Sequence, residues 1–233
     1  NQKRIRRKRN NIRRHKTGHN LAKKAMKGKF ITFEGPEGSG KSTHSALLYN
    51  YLREKGYAVI HLREPGSTAI GEKIRKILLD RKNRKMDVLV EALLYMASRA
   101  QLIKEKIIPA LKKGDIVICD RFQDATIVYQ GYAAGLDIAF IKNIAKTTTC
   151  AITPDLTFLL DIDTKKGLER AGKIKDRMEE KSLSFHRRVR AGYLKLATEF
   201  HKRIKIIKVD EKKALTQKQI RNILEGFLCR LKR

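Results

Sequence analysis

A glycine-rich run early in the chain has the residue types that hold phosphate groups. It reads Gly35-Pro36-Glu37-Gly38-Ser39-Gly40-Lys41-Ser42-Thr43 and satisfies the P-loop pattern GxxxxGK[ST]. Its glycines allow successive backbone N–H groups to face phosphate oxygens, and the helix predicted after it directs a positive N-terminus to the same point. Lys41 is expected to reach the β- and γ-phosphates, and the Ser42 hydroxyl to ligate Mg²⁺. The alternative, a turn that only connects strand to helix, does not explain why every fixed position is matched, so we predict nucleoside triphosphate binding.

Two further segments have residue types suited to a phosphoryl acceptor. Arg63-Glu64-Pro65-Gly66 follows the second predicted strand, where ligands bind in open α/β sheets, although an ordinary turn would also suit this sequence. Tyr95 and Arg99 are four residues apart and share one face of a predicted helix. The ring could stack on a base and the guanidinium could bond the base edge, or the pair could be a core tyrosine beside a solvated arginine.

Asp120 and Arg121 end a short apolar run, residues 116–119, of the kind found in buried parallel strands. A carboxylate at this position can hold the Mg²⁺ shell, and an arginine beside it can bridge donor and acceptor phosphates. The competing interpretation is a plain ion pair at the strand end.

A basic stretch at residues 164–184 lacks strong apolar periodicity. Its cations include Lys165, Lys166, Arg170, Lys173, Lys175 and Arg177. Phosphoryl transfer between two anions needs positive charge over the transferring group and exclusion of water, and a closing lid supplies both. A solvated charged loop is the alternative, but the position just beyond the fourth strand favours a mobile lid.

Strand and helix patterns alternate along most of the chain, which predicts an α/β fold. We expect a five-stranded parallel sheet flanked by helices on both faces, making three layers, and no second domain. The predicted strands cover 30–34, 58–63, 116–120, 156–161 and 204–209. The predicted helices cover 42–55, 70–79, 89–112, 123–133, 138–145, 185–202 and 215–231.

The charge balance points to anionic partners. The 233 residues include 54 Lys and Arg against 24 Asp and Glu, a formal net charge of +30. Residues 1–28 hold no acid and form a basic arm that we expect to be disordered, and 29–233 is the predicted domain. The arm suggests non-specific nucleic-acid contact or organelle import. Three separated cysteines suggest neither a disulfide framework nor a zinc site and fit a reducing compartment, the cytoplasm. No apolar stretch approaches the length that a membrane span requires.

Several motifs in order resemble the bacterial-type thymidylate kinases. The strings are FITFEGPEGSGKST (30–43), REPGSTAIGEKIRKILLD (63–80), EALLYMASRAQL (91–102), CDRFQDATIVYQGYAAGL (119–136), PDLTFLLDID (154–163) and DRMEEKSLSFHRRVRAGYLKLA (176–197). The resemblance implies a P-loop fold that phosphorylates dTMP to dTDP for dTTP synthesis, with ATP as donor, Mg²⁺ as cofactor and a homodimer as the assembly.

The resemblance also implies roles for individual residues. Glu37 would face the sugar 3′-hydroxyl, Tyr95 would stack on thymine with Arg99 at the base edge, and Tyr129 would crowd the 2′ position. Further acceptor-binding residues would be Arg63, Arg75, Arg121 and Gln130. The implied catalytic residues are Lys41, Arg121, Arg170 and Arg177, and the implied metal ligands are Ser42 and Asp120.

Three positions depart from the family pattern. Ser67 replaces a glycine and Ser42 a threonine, both mild changes, but Ala125 replaces a frequent serine. If that hydroxyl orients the base, thymine affinity falls by about one hydrogen bond, roughly 0.5–1.5 kcal/mol, unless Thr126 compensates. Two alternatives stay open. Ala125 motivates a kinase for another nucleoside monophosphate, such as dUMP. The basic arm motivates a nucleic-acid-binding protein whose ATP site is regulatory or inactive.

Overall fold

Five parallel strands form one sheet in the order β2-β3-β1-β4-β5. The structure is a computed structural model that describes residues 28–172 and 176–230. The strands are β1 (Lys29–Glu34), β2 (Val59–Arg63), β3 (Ile116–Asp120), β4 (Leu156–Asp161) and β5 (Ile204–Lys208). The predicted sheet is confirmed, with strand limits within one residue of those expected.

Helices cover both faces of the sheet, as the predicted three-layer fold requires. They are α1 (Lys41–Glu54), α2 (Ala69–Leu79), α3 (Val88–Leu102), α4 (Ile108–Lys113), α5 (Gln123–Thr126), α6 (Ile138–Thr148), α7 (Thr164–Arg170), α8 (Leu183–Glu199) and α9 (Lys213–Arg230). The helices α1 and α9 pack on one face, and α3, α4 and α8 on the other. No helix in residues 28–172 and 176–230 is long and apolar enough to cross a membrane.

The core lies on both faces of the central strand. In β1, Ile31 and Phe33 point toward α1 and α9, whereas Phe30 packs with α4 and β3 on the opposite face. Side chains of a strand alternate between faces, so a strand that is covered on both sides must be apolar at nearly every position. This double burial explains why the strands read as continuous apolar runs.

Two predicted helices are interrupted by π-helical turns. The predicted helix 89–112 contains one at Ile103–Ile107, and the predicted helix 123–133 changes to another at Ile127–Ala133. Pro109 accounts for the first, because it has no N–H for the carbonyl four residues earlier. The second carries Tyr129 and Gln130, and such turns occur often at functional sites.

The predicted basic lid contains a short helix that its sequence pattern did not indicate. The helix α7 begins after Asp163, whose carboxylate accepts hydrogen bonds from the N–H groups of Lys165 and Lys166. This cap satisfies two of the unpaired donors of the first turn, so the helix forms without an apolar stripe. Lys173 and Lys175, like residues 1–27 of the predicted arm, lie outside the described residues.

The sheet brings β1 and β3 side by side where the predicted phosphate and magnesium residues follow them. Phe33 of β1 is in register with Asp120 of β3, and the N–H of Arg121 donates to the Phe33 carbonyl oxygen over 2.9 Å. The carboxyl ends of parallel strands lie at one edge, so the residues after both strands meet there.

Candidate active site

The phosphate loop packs directly against α7. Gly38 has a left-handed backbone (φ 66°), and a Cβ added to it would lie 1.8 Å from the carbonyl oxygen of Gly167. Only glycine permits both this conformation and this approach. Gly40, also left-handed with φ 85°, precedes the first turn of α1 and lets the chain enter that helix. The first turn of α1 therefore faces the place where phosphates would sit.

Lys41 lies buried inside the loop that it belongs to. Its ammonium donates to the Pro36 carbonyl oxygen over 2.7 Å and to the Ser39 hydroxyl over 3.4 Å. Burial and the nearby Arg121 lower the pKa of Lys41 to about 8, against the opposing influence of Glu37. A bound triphosphate would reverse this effect, because a nearby anion favours the charged ammonium.

Ser42 and Asp120 form a pair suited to a magnesium ion. The Ser42 hydroxyl donates to Asp120 Oδ2 over 2.5 Å. Asp120 is 5% exposed, and its other oxygen, Oδ1, is buried without a hydrogen-bond partner among the described residues. Mg²⁺ prefers one or two protein oxygens together with phosphate oxygens and water. The two side chains therefore fit the ion without a larger cluster of acidic ligands.

Arg121 is the centre of a network that joins the phosphate loop to the acceptor side. Its Nη2 donates to both carboxylate oxygens of Glu37 over 2.8 Å, and its Nη1 donates to the Gly35 carbonyl oxygen over 3.2 Å. The guanidinium also lies 5.1 Å from the centre of the Tyr129 ring, and the Tyr129 hydroxyl donates to Glu37 over 2.8 Å. Glu37 and Arg121 are therefore held in one geometry.

The same network keeps both members of the central pair charged. Burial opposes ionisation of Glu37, but Arg121 and Lys41 outweigh it and lower the pKa of Glu37 to about 2. Burial also disfavours the Arg121 cation, yet Glu37 raises the pKa of Arg121 above its ordinary value. The cleft thus carries a fixed guanidinium beside the phosphate loop.

One cleft of about 660 Å³ joins these groups. All the predicted site residues line it except Gly35, Pro36, Arg99 and Arg177. Gly35 and Pro36 are buried at the start of the phosphate loop. The structure therefore brings the predicted triphosphate, magnesium and acceptor residues to one place, with Arg170 of α7 at the same opening.

Two arginines of the predicted acceptor side are held by the segment after β2, Arg75 by its loop and Arg63 by a residue of α2. Arg75 donates from Nη1 to the Pro65 carbonyl oxygen over 3.0 Å, and burial lowers its pKa. Arg63 is half exposed and donates to both oxygens of Glu72, over 3.0 and 3.2 Å. Arg75 therefore has a fixed position inside the cleft, whereas Arg63 lies at its edge.

Arg99 does not line the cleft. It is 1% exposed, pairs with Glu64 at 2.5 Å, and donates to the Phe122 carbonyl oxygen and to the Thr126 hydroxyl. Thr126, at 2.7 Å from Nη2, does line the cleft, and sequence reasoning named it only as a substitute for a missing serine. The face shared by Tyr95 and Arg99 thus brings the ring to the cleft and the guanidinium to a layer beneath it.

Arg177 is also held away from the cleft, by a buried ion pair. Its Nη1 lies 2.5 Å from Glu91, and its Nε donates to the Leu78 carbonyl oxygen over 2.7 Å. Glu91 in turn accepts a hydrogen bond from Gln130, which lines the cleft. With these contacts, the Arg177 guanidinium supports the wall of the predicted acceptor side. Arg170, by contrast, is exposed.

The loop after β5 contributes residues that the sequence analysis missed. Asp210 and Lys213 line the cleft beyond the phosphate loop. They follow the last strand, so the general rule that ligands bind at the carboxyl edge of a parallel sheet could have found them.

The parallel sheet has a phosphate loop after its central strand, and an arginine-lined cleft opens beside that loop. This combination is that of a P-loop phosphotransferase. Comparison with known proteins makes this class more specific. The family model for thymidylate kinase matches residues 33–220. A thymidylate kinase of Thermoanaerobacter sp. (strain X514) is 47% identical over 204 residues, covering 87% of this chain and all of that protein.

A second sequence relative and a solved structure point to the same family. A thymidylate kinase of Geobacillus sp. (strain WCH70) is 48% identical over 209 residues, covering 86% of this chain and 100% of that protein. The crystal structure of thymidylate kinase from Ehrlichia chaffeensis matches with a TM-score of 0.71 and 34% identity, covering 85% of this chain and 98% of that chain. The chain belongs to the thymidylate kinase family. It is a nucleoside monophosphate kinase that phosphorylates dTMP to dTDP with ATP.

Proposed function

We propose that this chain transfers the γ-phosphoryl group of ATP in line to the phosphate of dTMP, with Lys41 and Arg121 as its main catalytic residues. The observation that carries the proposal is the meeting of the Lys41 ammonium, the Ser42–Asp120 pair and the Arg121 guanidinium in one cleft. No general base is needed, because the acceptor phosphate already has nucleophilic oxygens. Positioning and electrostatic stabilisation then supply the acceleration.

We assign the metal to Ser42 and Asp120. When bound, Mg²⁺ neutralises charge on the β- and γ-phosphate oxygens. The unpaired Oδ1 of Asp120 supports the assignment, because a buried carboxylate oxygen without a partner is costly unless a ligand satisfies it.

On the acceptor side, Glu37 is proposed to meet the 3′-hydroxyl of the sugar, and Tyr129 to limit space for a 2′-hydroxyl. Both groups are fixed by the hydrogen bond between them. Tyr95 is proposed to stack on thymine, and Arg75 to bind the acceptor phosphate together with Arg121. Because Arg99 is buried, we assign it to positioning Thr126 and give the base edge to the Thr126 hydroxyl.

Of the two predicted lid arginines, Arg170 is proposed to act on the transferring phosphoryl group. It lines the cleft from the last turn of α7, which packs on the phosphate loop. Arg177 is proposed to support the acceptor wall through Glu91.

A homodimer is proposed to form through α2, α3 and α6. The helix α3 packs against both of the others. Apolar side chains on these helices are exposed: Ile70, Ile77, Leu89, Val90, Leu93 and Phe140. A surface group of large apolar residues is typical of a protein interface. Sedimentation velocity of the wild-type chain and of a Leu93→Glu variant tests this, and a monomeric wild type would contradict it.

The remaining sequence predictions concern the arm. Nucleic-acid contact through residues 1–28 and organelle import stay hypotheses, since residues 1–27 lie outside the described part of the chain. The cytoplasm remains the proposed location.

The experiment that tests the acceptor assignment is a coupled ADP-release assay with ATP, Mg²⁺ and a panel of monophosphates. It compares the full chain with residues 29–233, and a Lys41→Ala variant measures ADP release that does not depend on the phosphate loop. We expect a strong preference for dTMP in the full chain and in residues 29–233. Equal rates with dTMP and dCMP would refute the base assignment, and loss of activity on removing the arm would place the arm in catalysis.

A further inference from the structure

Arg121 has a backbone conformation that its own residue type does not favour. Its φ is 67°, in the left-handed region that is unfavourable for residues with a Cβ. Such a conformation persists only when neighbouring groups hold it, and it is found most often at functional sites. The peptide groups on both sides of the Arg121 Cα are therefore the place to look for what holds it.

The end of β1 fixes both of these peptide groups. The Arg121 N–H donates to the carbonyl oxygen of Phe33 over 2.9 Å. The next N–H, that of Phe122, donates to the Glu34 carboxyl oxygen Oε1 over 2.7 Å. The first bond continues the strand pairing of β1 and β3, whereas the second needs a side-chain acceptor at position 34. A backbone N–H buried at this position without that acceptor would be unpaired.

Tyr193 of α8 holds the other end of the same carboxyl group. The Tyr193 hydroxyl donates to Glu34 Oε2 over 2.8 Å. The hydroxyl oxygen of Tyr193 also accepts a hydrogen bond from Arg121 Nη1 over 3.4 Å. Glu34 is 1% exposed and Tyr193 2% exposed, and neither lines the cleft. The pair thus touches Arg121 at its backbone and at its guanidinium but does not reach the space for substrate.

We propose that Glu34 and Tyr193 are positioning residues that hold Arg121 in the left-handed conformation from which its guanidinium reaches Glu37 and the transferring phosphoryl group. This inference rests on the catalytic role proposed above for Arg121. The two residues bring β1, β3 and α8 to one point, so the direction of the Arg121 side chain depends on an atom supplied by a helix 72 residues further along the chain.

The test is a double-mutant cycle between Tyr193 and Arg121, measured as kcat with saturating ATP and dTMP. Tyr193→Phe removes only the hydroxyl, and we expect it to lower kcat about tenfold while the KM for ATP changes less than threefold. In the Arg121→Ala background the same change should lower kcat less than twofold, because the group that Tyr193 positions is gone. Tyr49→Phe, a tyrosine in the opposite core cluster, is the matched control and should retain wild-type kcat.

A second series at Glu34 separates positioning from general stability. Glu34→Gln keeps an acceptor for Phe122 and a polar group for Tyr193, so we expect kcat within about threefold of wild type. Glu34→Leu leaves the Phe122 N–H unpaired and should lower kcat at least tenfold. Thermal unfolding of each variant confirms that the assayed protein is folded, and Tyr193→Phe tests the proposal if Glu34→Leu does not fold.

The outcomes distinguish the two levels of the proposal. If Arg121→Ala lowers kcat but Tyr193→Phe has the same effect in both backgrounds, the positioning role is refuted and the role of Arg121 stands. If Arg121→Ala retains wild-type kcat, the proposed role of Arg121 fails and the positioning role fails with it.

Discussion

Arg121→Ala is the sharpest test of how this site works, because the side chain connects the phosphate loop with the acceptor cleft. Its guanidinium makes two bonds of 2.8 Å to Glu37 and one of 3.2 Å to Gly35. Removing it takes away the part-buried cation that is bonded to Glu37 and Gly35 but leaves Lys41 and the loop glycines in place. The change should therefore act on the chemical step far more than on ATP binding.

The expected magnitude follows from comparable groups. A preorganised donor in an active site contributes about 10²–10³ in kcat, and an arginine aimed at a transferring phosphoryl group about 10³–10⁵. Because Arg121 is already bonded to Glu37 before substrate arrives, part of its charge is neutralised, so we expect the lower range, about 10²–10³. The variant also leaves Glu37 without its main partner, so the pKa of Glu37 should rise from about 2.

The assay is the steady-state rate of ADP release together with the Kd of ATP from calorimetry. Arg121→Lys is the matched control, since it retains the charge but loses the two-pronged bond to Glu37. We expect kcat to fall at least a hundredfold in the alanine variant and less in the lysine variant, with the Kd of ATP changed less than fivefold. A kcat within threefold of wild type, or a loss of ATP affinity as large as the loss of kcat, would refute the reasoning.

Three further predictions use other parts of the site. Gly38→Ala should weaken ATP binding strongly, because its Cβ would meet a carbonyl oxygen of α7 at 1.8 Å. Gly56→Ala, at a position with φ 82° and open space, controls for backbone strain alone. Calorimetry measures the Kd of ATP for both variants, and equal losses of ATP affinity would contradict this prediction. Arg177→Met should lower the free energy of unfolding by about 3–5 kcal/mol, because Glu91 would be left buried without its cation and with only the Gln130 amide as a partner. A urea titration that shows a loss below about 1 kcal/mol would exclude a structural ion pair. Burial raises the pKa of Glu34 to about 8, so the folded state binds the extra proton between pH 4.5 and 8, and stability should fall as pH rises through this window. Urea titrations across that range should show that the free energy of unfolding depends less steeply on pH in Glu34→Gln than in the wild type. Identical slopes of unfolding free energy against pH in the two proteins would contradict a raised pKa of Glu34.

The phosphate side of the site is predictable from sequence because its chemistry is local. The loop from Gly35 to Ser42 is contiguous, and the helix and strand that flank it have clear patterns. Asp120 and Arg121 are predicted to lie beside this loop for a related reason: they end a short apolar strand, and strand ends gather at one edge of a parallel sheet. Position within a simple topology was enough to place both.

The acceptor wall was less predictable because its arrangement depends on pairs of residues far apart in sequence. Spacing placed Tyr95 and Arg99 on one helix face but did not show that Glu64 draws the guanidinium into a buried ion pair. Arg177 lay in a basic run that suggested a lid, yet Glu91, more than eighty residues earlier, fixes it in the interior. Charge patterns do not report such partners, since an exposed and a buried arginine look alike in a sequence.

Glu37 has a consequence for thermodynamics as well as for geometry. It belongs to the loop that receives the donor, but its carboxylate is bonded to Arg121 and Tyr129 of the acceptor cleft. Any shift of the loop on ATP binding would be transmitted through these bonds to the groups proposed to meet dTMP, and the two binding free energies would then be linked. Linkage is reciprocal: whatever factor ATP imposes on the affinity for dTMP, dTMP imposes on the affinity for ATP. A single carboxylate thus gives the proposed ATP and dTMP sites a physical connection through which each ligand would change the affinity for the other.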